Sequence, residues 1–391
     1  MKRLQLLLLS AVCSISVMAQ LSGDGYYRVQ SYDRGRYIRL VDNRGSINIS
    51  TTSADMNALR TVLGFDRVVS DPATVIYIKK QGSGYDLQSQ GTSSYTIIGY
   101  LLQITDTGDG TYWASASKSG MTKYLWDEII DDESEAEKLT GYVQTMGTPK
   151  NSEADWNIIP MSRADNYFGV KPTVSVNNSH YATFYAAFPF TFNSTGMNAY
   201  SVAKVDEENS VVIINEVTGG VQASVPVLIK CSSVQPVDNK LNVGASATGN
   251  ASGNLLKGVY FCNDVTSTKH RNVVAYDATT MRVLGTAPDG SLAFVKSSTL
   301  QYIPANTAYI TVEAGAPDVL KVYTQAEYDA LPSAMRGDLS GDGKVSGLDL
   351  VYMGNMIIGT REKTAEADLN GDGKVSGLDY VILVNIILNQ Q

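Results

Sequence analysis

Near its C-terminus the chain twice sets oxygen-bearing side chains at fixed intervals on a short glycine-rich stretch. Asp338-Leu-Ser-Gly-Asp-Gly-Lys-Val-Ser-Gly-Leu-Asp349 recurs 30 residues later as Asp368-Leu-Asn-Gly-Asp-Gly-Lys-Val-Ser-Gly-Leu-Asp379, with one difference in twelve positions. Calcium takes about six to eight oxygens, and EF-hand spacing supplies them from positions 1, 3, 5, 7 (a carbonyl), 9 (often through water) and 12, with Gly at 6. Both copies meet that pattern. The expected ligands are Asp338, Ser340, Asp342, the Lys344 carbonyl, Ser346 and Asp349 in the first loop. In the second they are Asp368, Asn370, Asp372, the Lys374 carbonyl, Ser376 and Asp379, with Gly343 and Gly373 at the two turns.

Each loop must be held by the element on its C-terminal side. Leu350 to Ile358 and Tyr380 to Leu388 are apolar runs that predict one helix after each loop, and no comparable helix enters either loop. From Gly337 to Gln391, eight acidic and four basic residues give a charge of −4, which two calcium ions would neutralise. Without metal the clustered carboxylates repel, so calcium is expected to drive folding here.

Position 12 is Asp in both copies, and each loop leads into a single helix. In these features residues 337–391 resemble the dockerin family, specifically type I. That resemblance implies two loop-helix units forming a small α-helical calcium module that binds a cohesin-like partner. It also implies partner-binding residues at loop positions 10 and 11, here Gly347, Leu348, Gly377 and Leu378. Many type I members carry a hydroxyl pair there and a basic pair mid-helix; this chain has neither, so its contact is expected to be more apolar. The matched copies further imply pseudo-two-fold symmetry, with two possible docking orientations. Packing of the two helices on each other is the ordinary use for about half of their apolar residues.

The remaining chain reads as mainly β and multidomain. Lys2 and Arg3, the apolar Leu4 to Val12 and the small-residue site Val17-Met18-Ala19 predict a signal peptide over 1–19. Export to the cell surface or medium is then expected, with the periplasm as an alternative. Losing Lys2 and Arg3 takes the net charge from −8 to −10, and no basic cluster stands out. Nucleic acid is excluded as a partner on that balance. No membrane span is expected beyond the leader.

Residues 20–162 carry short Tyr- and Ile-rich strands: Gly25 to Gln30, Tyr37 to Asp42, Val75 to Lys79, Tyr85 to Gln88, Leu101 to Thr105, Tyr112 to Ser115 and Trp156 to Ile159. A helix is predicted over Ala54 to Leu63, between Ser53 and Gly64, and the acidic run Asp127 to Glu137 reads as a solvated loop. The succession GYYRVQ, RYIRLVDN and a closing Trp-Asn-Ile-Ile resembles a ricin-type β-trefoil, although the Gln-x-Trp triplet is missing. Tyr112, Trp113, Tyr124 and Trp126 are candidates for stacking on sugars, against the ordinary reading that they are core.

Residues 163–323 alternate over longer runs and predict a β-sandwich similar to modules in surface proteins of polysaccharide-degrading anaerobes. The predicted strands are Ala182 to Ala187, Ala199 to Val205, Val211 to Val217, Val225 to Cys231, Val259 to Cys262, Val273 to Tyr276, Leu292 to Lys296 and Ala308 to Val312. Val221 to Ile229 and Ile303 to Ile310 echo each other. Residues 324–336 are a linker with a short helix. Cys231 and Cys262 could form a disulfide or remain as two buried thiols.

Catalytic signatures are sparse. Only His180 and His270 could serve a Ser-His-Asp triad. Gly244-Ala-Ser246-Ala-Thr248 misses the nucleophile elbow at its last position, and there is no zinc motif or phosphate loop. Asp206, Glu207, Glu208 and Glu216 are the carboxylates available for glycoside hydrolysis, with hairpin-edge charge as their ordinary reading. No catalytic residue is assigned. The leading expectation is a secreted, non-catalytic docking protein for polysaccharide binding or degradation. The alternatives are a hydrolase of O-glycosyl bonds and a structural surface protein whose calcium module packs on its own upstream part.

Overall fold

Six strands close into a barrel in the computed structural model, which describes residues 21, 23–40, 59–90, 101–118, 120–128, 140–149, 151–261, 273–330, 337–342, 344–370 and 372–389. The expected leader, residues 54–58 of the expected helix, Cys262, His270 and Gly343 lie outside the described residues. The barrel runs Gly25–Ser31, Ile76–Gln81, Gly84–Gln88, Gln103–Asp106, Tyr112–Lys118 and Asp155–Pro160. Successive members pair antiparallel, through a bridge between Tyr85 and Leu102 at the third step. Closure comes from the first and last strands, where Tyr27 to Ser31 face Pro160 to Trp156.

Alternation explains the barrel core. Tyr27, Val29, Ile76, Ile78, Leu87, Leu102, Ala114, Trp156 and Ile158 fall on the inward face and form one buried cluster. Trp156 donates its indole N–H to the Leu125 carbonyl at 3.1 Å, which meets the polar demand of a fully buried ring. Beneath the barrel lie two hairpins, Arg36–Leu40 with Leu59–Leu63 and Met121–Glu128 with Thr140–Met146.

The helix expected over Ala54 to Leu63 is corrected by this pairing. Leu59–Leu63 is a strand, bonded on one side to Arg36–Leu40 and on the other to Thr140–Met146. Helical signals there lose to two ladders that satisfy the backbone on both edges. A four-residue helix, Phe65–Val68, comes after Gly64 instead.

The acidic run is also corrected at its start. Asp127 is fully buried on a strand and forks onto Arg36, Nε to Oδ2 at 2.8 Å and Nη2 to Oδ1 at 2.7 Å, with Thr61 Oγ1 donating at 2.6 Å. A buried carboxylate needs such partners, and Arg supplies two parallel donors.

Beyond Met161, Val174–Val176, Ser179–Phe184, Val227–Cys231 and Asn198–Asp206 lie side by side in one sheet. The same sheet includes the run Leu292–Val295, Met281–Thr286, Thr307–Thr311 and Lys257–Val259. A three-stranded sheet of Phe168–Gly169, Lys240–Val243 and Phe190–Phe192 shares a core with it, built on Phe168, Phe184, Phe188 and Phe190. These rings meet edge to face or tilted at 5.4 to 6.5 Å. The strand expected over Val273 to Tyr276 is reduced to two isolated bridges. The two echoed segments carry left-handed residues at matched positions, Ser224 at φ 62° and Asn306 at φ 57°. Cys231 is a free, buried thiol.

The chain divides into two compact units, one reaching Lys321 without Ile213–Asn215, the other made of those three residues and Val322–Gln391. Within the first unit the barrel and the later sheets share buried residues. Arg28, fully buried on the first barrel strand, donates to Asn166 Oδ1 at 2.9 Å, the Tyr167 carbonyl at 3.0 Å, the Val68 carbonyl at 3.0 Å and Thr74 Oγ1 at 3.2 Å. Burial pulls its pKa down to about 10, opposed by Tyr37, Asp71 and Tyr167, so it stays charged at neutral pH.

Candidate calcium centres

The C-terminal unit takes its shape from two helices, Gly347–Ile358 and Gly377–Asn389. Their inward residues and the loop valines form one small core of Val345, Met353, Met356, Ala367, Leu369, Val375 and Leu383. Residues at a 30-residue offset occupy matching places in it, Val345 with Val375 and Met353 with Leu383. Gly337 closes tightly on this core. It sits at φ 103°, and a Cβ there would stand 2.3 Å from Leu383 Cδ1.

Position 12 does two structural jobs in each loop. Asp349 is fully buried; its Oδ1 accepts from the Ser340 amide and its Oδ2 from the Ser346 amide, both at 2.8 Å. Asp379 repeats this, with Oδ1 accepting from the Leu369 and Asn370 amides at 2.9 and 3.1 Å and Oδ2 from the Ser376 amide at 2.8 Å. Position 9 is the helix N-cap. Ser346 Oγ accepts from the Leu348 amide and Ser376 Oγ from the Leu378 amide, each at 3.2 Å. Positions 9 and 12 thus form a capping box at the first helix, and the same bonds recur at the second. The same carboxylate therefore ties the loop shut and starts the helix. Ser-x-x-Asp ahead of an apolar run was legible as this signal.

The carboxyl of Asp379 feels opposing effects. Desolvation raises its pKa, but the Ser376 and Asn370 amides, the Ser376 hydroxyl and the Leu369 amide outweigh it and hold the group below the ordinary range.

Positions 1, 3 and 5 turn around the loop backbone. Asp338 Oδ1 accepts from the Gly341 amide at 2.7 Å and from Ser340 Oγ at 3.1 Å, and Asp342 Oδ1 accepts from the Lys344 amide at 2.9 Å. In the second loop Asp368 Oδ2 accepts from the Gly373 amide at 2.7 Å and Asp372 Oδ1 from the Lys374 amide at 2.9 Å. Asn370 Oδ1 accepts from the Asp372 amide at 2.9 Å. Gly373 takes φ 81°, the left-handed turn its position needs. Among the described residues no three His, Cys, Asp or Glu side chains converge tightly enough to grip a metal by themselves. The donor chemistry nonetheless fits calcium: every donor is oxygen, with three carboxylates in each loop, a hydroxyl or amide at position 3 and a main-chain carbonyl at 7.

The helices expose matched apolar side chains. Leu348, Val351 and Ile358 on the first correspond to Leu378, Val381 and Leu388 on the second, all between 45% and 72% exposed. Gly347 and Gly377 stand exposed at the first helical positions. The symmetry breaks, among other places, at Tyr352. Arg361 lies 4.0 Å over the Tyr352 ring, while the second helix has Ile382 at the matching position.

Among the described residues, the other candidates do not assemble into a catalytic group. Asp206 is occupied by Lys204 at 2.6 Å and by the Asn209 amide, Glu216 accepts from Asn198, and the Glu207 carboxylate accepts from the Glu313 amide. His180 Nδ1 bonds Ser175 Oγ at 2.8 Å in a hairpin. Of the aromatic candidates, Tyr112 is core. Trp113 gives its indole N–H to Asp155 at 2.6 Å and meets Tyr124 edge on at 5.9 Å, and Trp126 is half-buried.

This is a paired loop-helix module with an oxygen donor set in each loop. A family model described as the dockerin type I domain matches residues 336–388, so the C-terminal unit carries a dockerin type I domain. No curated protein matches the chain. No described helix is long and apolar enough to cross a membrane.

Proposed function

We propose that the chain is an exported, non-catalytic protein whose C-terminal unit folds on two calcium ions and docks onto a cohesin-like partner, with the upstream β unit serving as a glycan-binding cargo. The observation that carries the reading is the pair of matched exposed triads, Leu348, Val351 and Ile358 beside Leu378, Val381 and Leu388, presented by two loops of near-identical sequence. Exposed apolar residues repeated at one offset on two helices fall outside the small core the helices share, and grouped exposed apolar side chains favour an interaction surface.

One ion would be held by Asp338, Ser340, Asp342, the Lys344 carbonyl, Ser346 and Asp349. The other would be held by Asp368, Asn370, Asp372, the Lys374 carbonyl, Ser376 and Asp379. Calcium supplies charge that offsets the −4 of the segment. The loop residues fix where each helix begins, so metal binding presents Leu348 and Leu378 in their exposed positions. Gly347 and Gly377 put no side chain beside them and leave room for close approach of a partner. Upstream, the closed six-strand barrel with hairpins beneath it supports the trefoil-like reading of 20–162. Two sheets on a shared phenylalanine core support the sandwich reading of 163–323.

Calorimetry of the full chain against a recombinant cohesin tests this. Binding is expected in calcium, is lost in EDTA and in the Asp338→Ala/Asp368→Ala variant, and weakens at least tenfold when Val351 and Val381 both become Asp. Calcium binding without cohesin binding would make the module an internal structural staple instead.

A further inference from the structure

A groove of about 1320 Å³ opens on the upstream unit where the barrel meets the later sheets. Its walls come from five separated stretches of chain: Arg39, Val62 to Pro72, Tyr167 to Phe184, Val234 to Val237, and Ala305 to Thr307. Pockets that close over one small molecule run about 300–1,000 Å³, and sites favour places where separate parts of a fold meet. A larger, open groove suits an extended ligand.

Its charges run against those of the protein. Arg39 and Asp71 pair with each other, and Asp71 also accepts from the Ala73 amide. That leaves Arg67 and Lys171, both exposed and, among the described residues, without an ion-pair partner, against Asp66 alone. The groove is locally cationic on a chain of net charge −8. Cations left unpaired in a concavity focus field toward an anion.

The rest of the lining is amphipathic. Phe65 and Tyr167 meet edge to face at 5.4 Å, and neutral hydroxyl and amide groups come from Thr173, Gln235 and Thr307. Scattered hydroxyls and amides complement a polyhydroxylated ligand better than they do a peptide, which needs strand edges or deep apolar anchors.

We infer that this groove binds an acidic oligosaccharide, its carboxylate or sulfate groups meeting Arg67 and Lys171 and its hydroxyls meeting Thr173 and Gln235. The inference rests on reading the upstream unit as glycan-binding, and it names both the site and the chemical class.

Calorimetry on the full chain provides the test, using oligogalacturonate for the carboxylate, a chondroitin sulfate oligosaccharide for the sulfate, and cellohexaose and poly-glutamate as controls. The Arg67→Gln/Lys171→Gln variant removes two exposed charges, so an unchanged melting temperature checks its fold. The expected result is binding of one acidic oligosaccharide that weakens with added salt and at least tenfold in that variant, with no binding of either control. Equal binding of cellohexaose would overturn the acidic class while leaving a glycan-binding unit. Absence of binding by any oligosaccharide would overturn both. Unchanged affinity in the double variant would remove the groove as the site, and preferential binding of poly-glutamate would replace the sugar with an acidic peptide.

Discussion

Gln90 and Asn306, 216 residues apart, hand their side-chain amides to each other inside the upstream unit. Gln90 Nε2 donates to Asn306 Oδ1 at 2.8 Å, and Asn306 Nδ2 returns a bond to Gln90 Oε1 at 3.0 Å. Both residues are buried and both sit in the left-handed region, at φ 46° and 57°. Asn306 also donates to the Tyr185 carbonyl at 3.0 Å. The pair ties the end of the third barrel strand to a turn that precedes the strand Thr307–Thr311.

Removing both partners should cost less than the two single removals added together. Asn306→Gly keeps the backbone at ease but strands the Gln90 amide, and about 1–3 kcal/mol of stability is expected to go. Gln90→Ala should cost a similar amount, and the double variant less than the sum. Urea unfolding of the four proteins measures the coupling; strict additivity would mean the two amides do not depend on each other.

Arg36 and Asp127 form the most deeply buried ion pair described. Asp127→Ala leaves a guanidinium without its counter-charge and is expected to destabilise the upstream unit by about 3–5 kcal/mol, whereas an apolar replacement of both members approaches neutrality. Thermal unfolding of the single and double variants checks this. A harmless Asp127→Ala would show that water reaches Arg36.

The depressed pKa of Asp379 fixes the sign of an acid effect on the calcium-free module. A carboxyl held lower in the folded state stabilises it fully above the unfolded value near 3.9, and that contribution is lost as pH falls through the folded value. In EDTA the module is expected to keep only part of its helical signal, and that part should drop on acidification below about pH 4. The Asp379→Asn variant should start lower and respond less. A variant that titrates like the parent would move the effect to other carboxylates.

Burial pushes the Cys231 thiol up to about 12. The thiolate is the reactive form, so iodoacetamide at about pH 8 should leave Cys231 unmodified in the native chain and alkylate it once denaturant is added, with no reductant present. Peptide mass mapping reads both states. Recovery of Cys231 in a disulfide with Cys262 would contradict the free thiol.

The calcium module was the part most open to reading from sequence. Its information is local: the candidate ligands fall within twelve residues, and Ser346 and Asp349, like Ser376 and Asp379, cap the helix that begins beside them. Alternating strands such as Gly25–Ser31 and Asp155–Pro160 were legible for the same reason, because period-two burial shows within a few residues. Leu59–Leu63 was not, since its backbone partners lie about 20 residues before it and about 80 after it in sequence.

Sequence by itself determined the two oxygen-rich loops, the helix after each and the inward faces of the strands, because each depends on neighbours a few residues away; the helices begin at Gly347 and Gly377, three residues before the expected Leu350 and Tyr380. Tertiary structure alone decided the rest. It set Asp127 against Arg36, Gln90 against Asn306, and Arg67 and Lys171 on one groove. Those relationships depend on closure of the barrel and on packing between chain segments far apart, which no local pattern encodes.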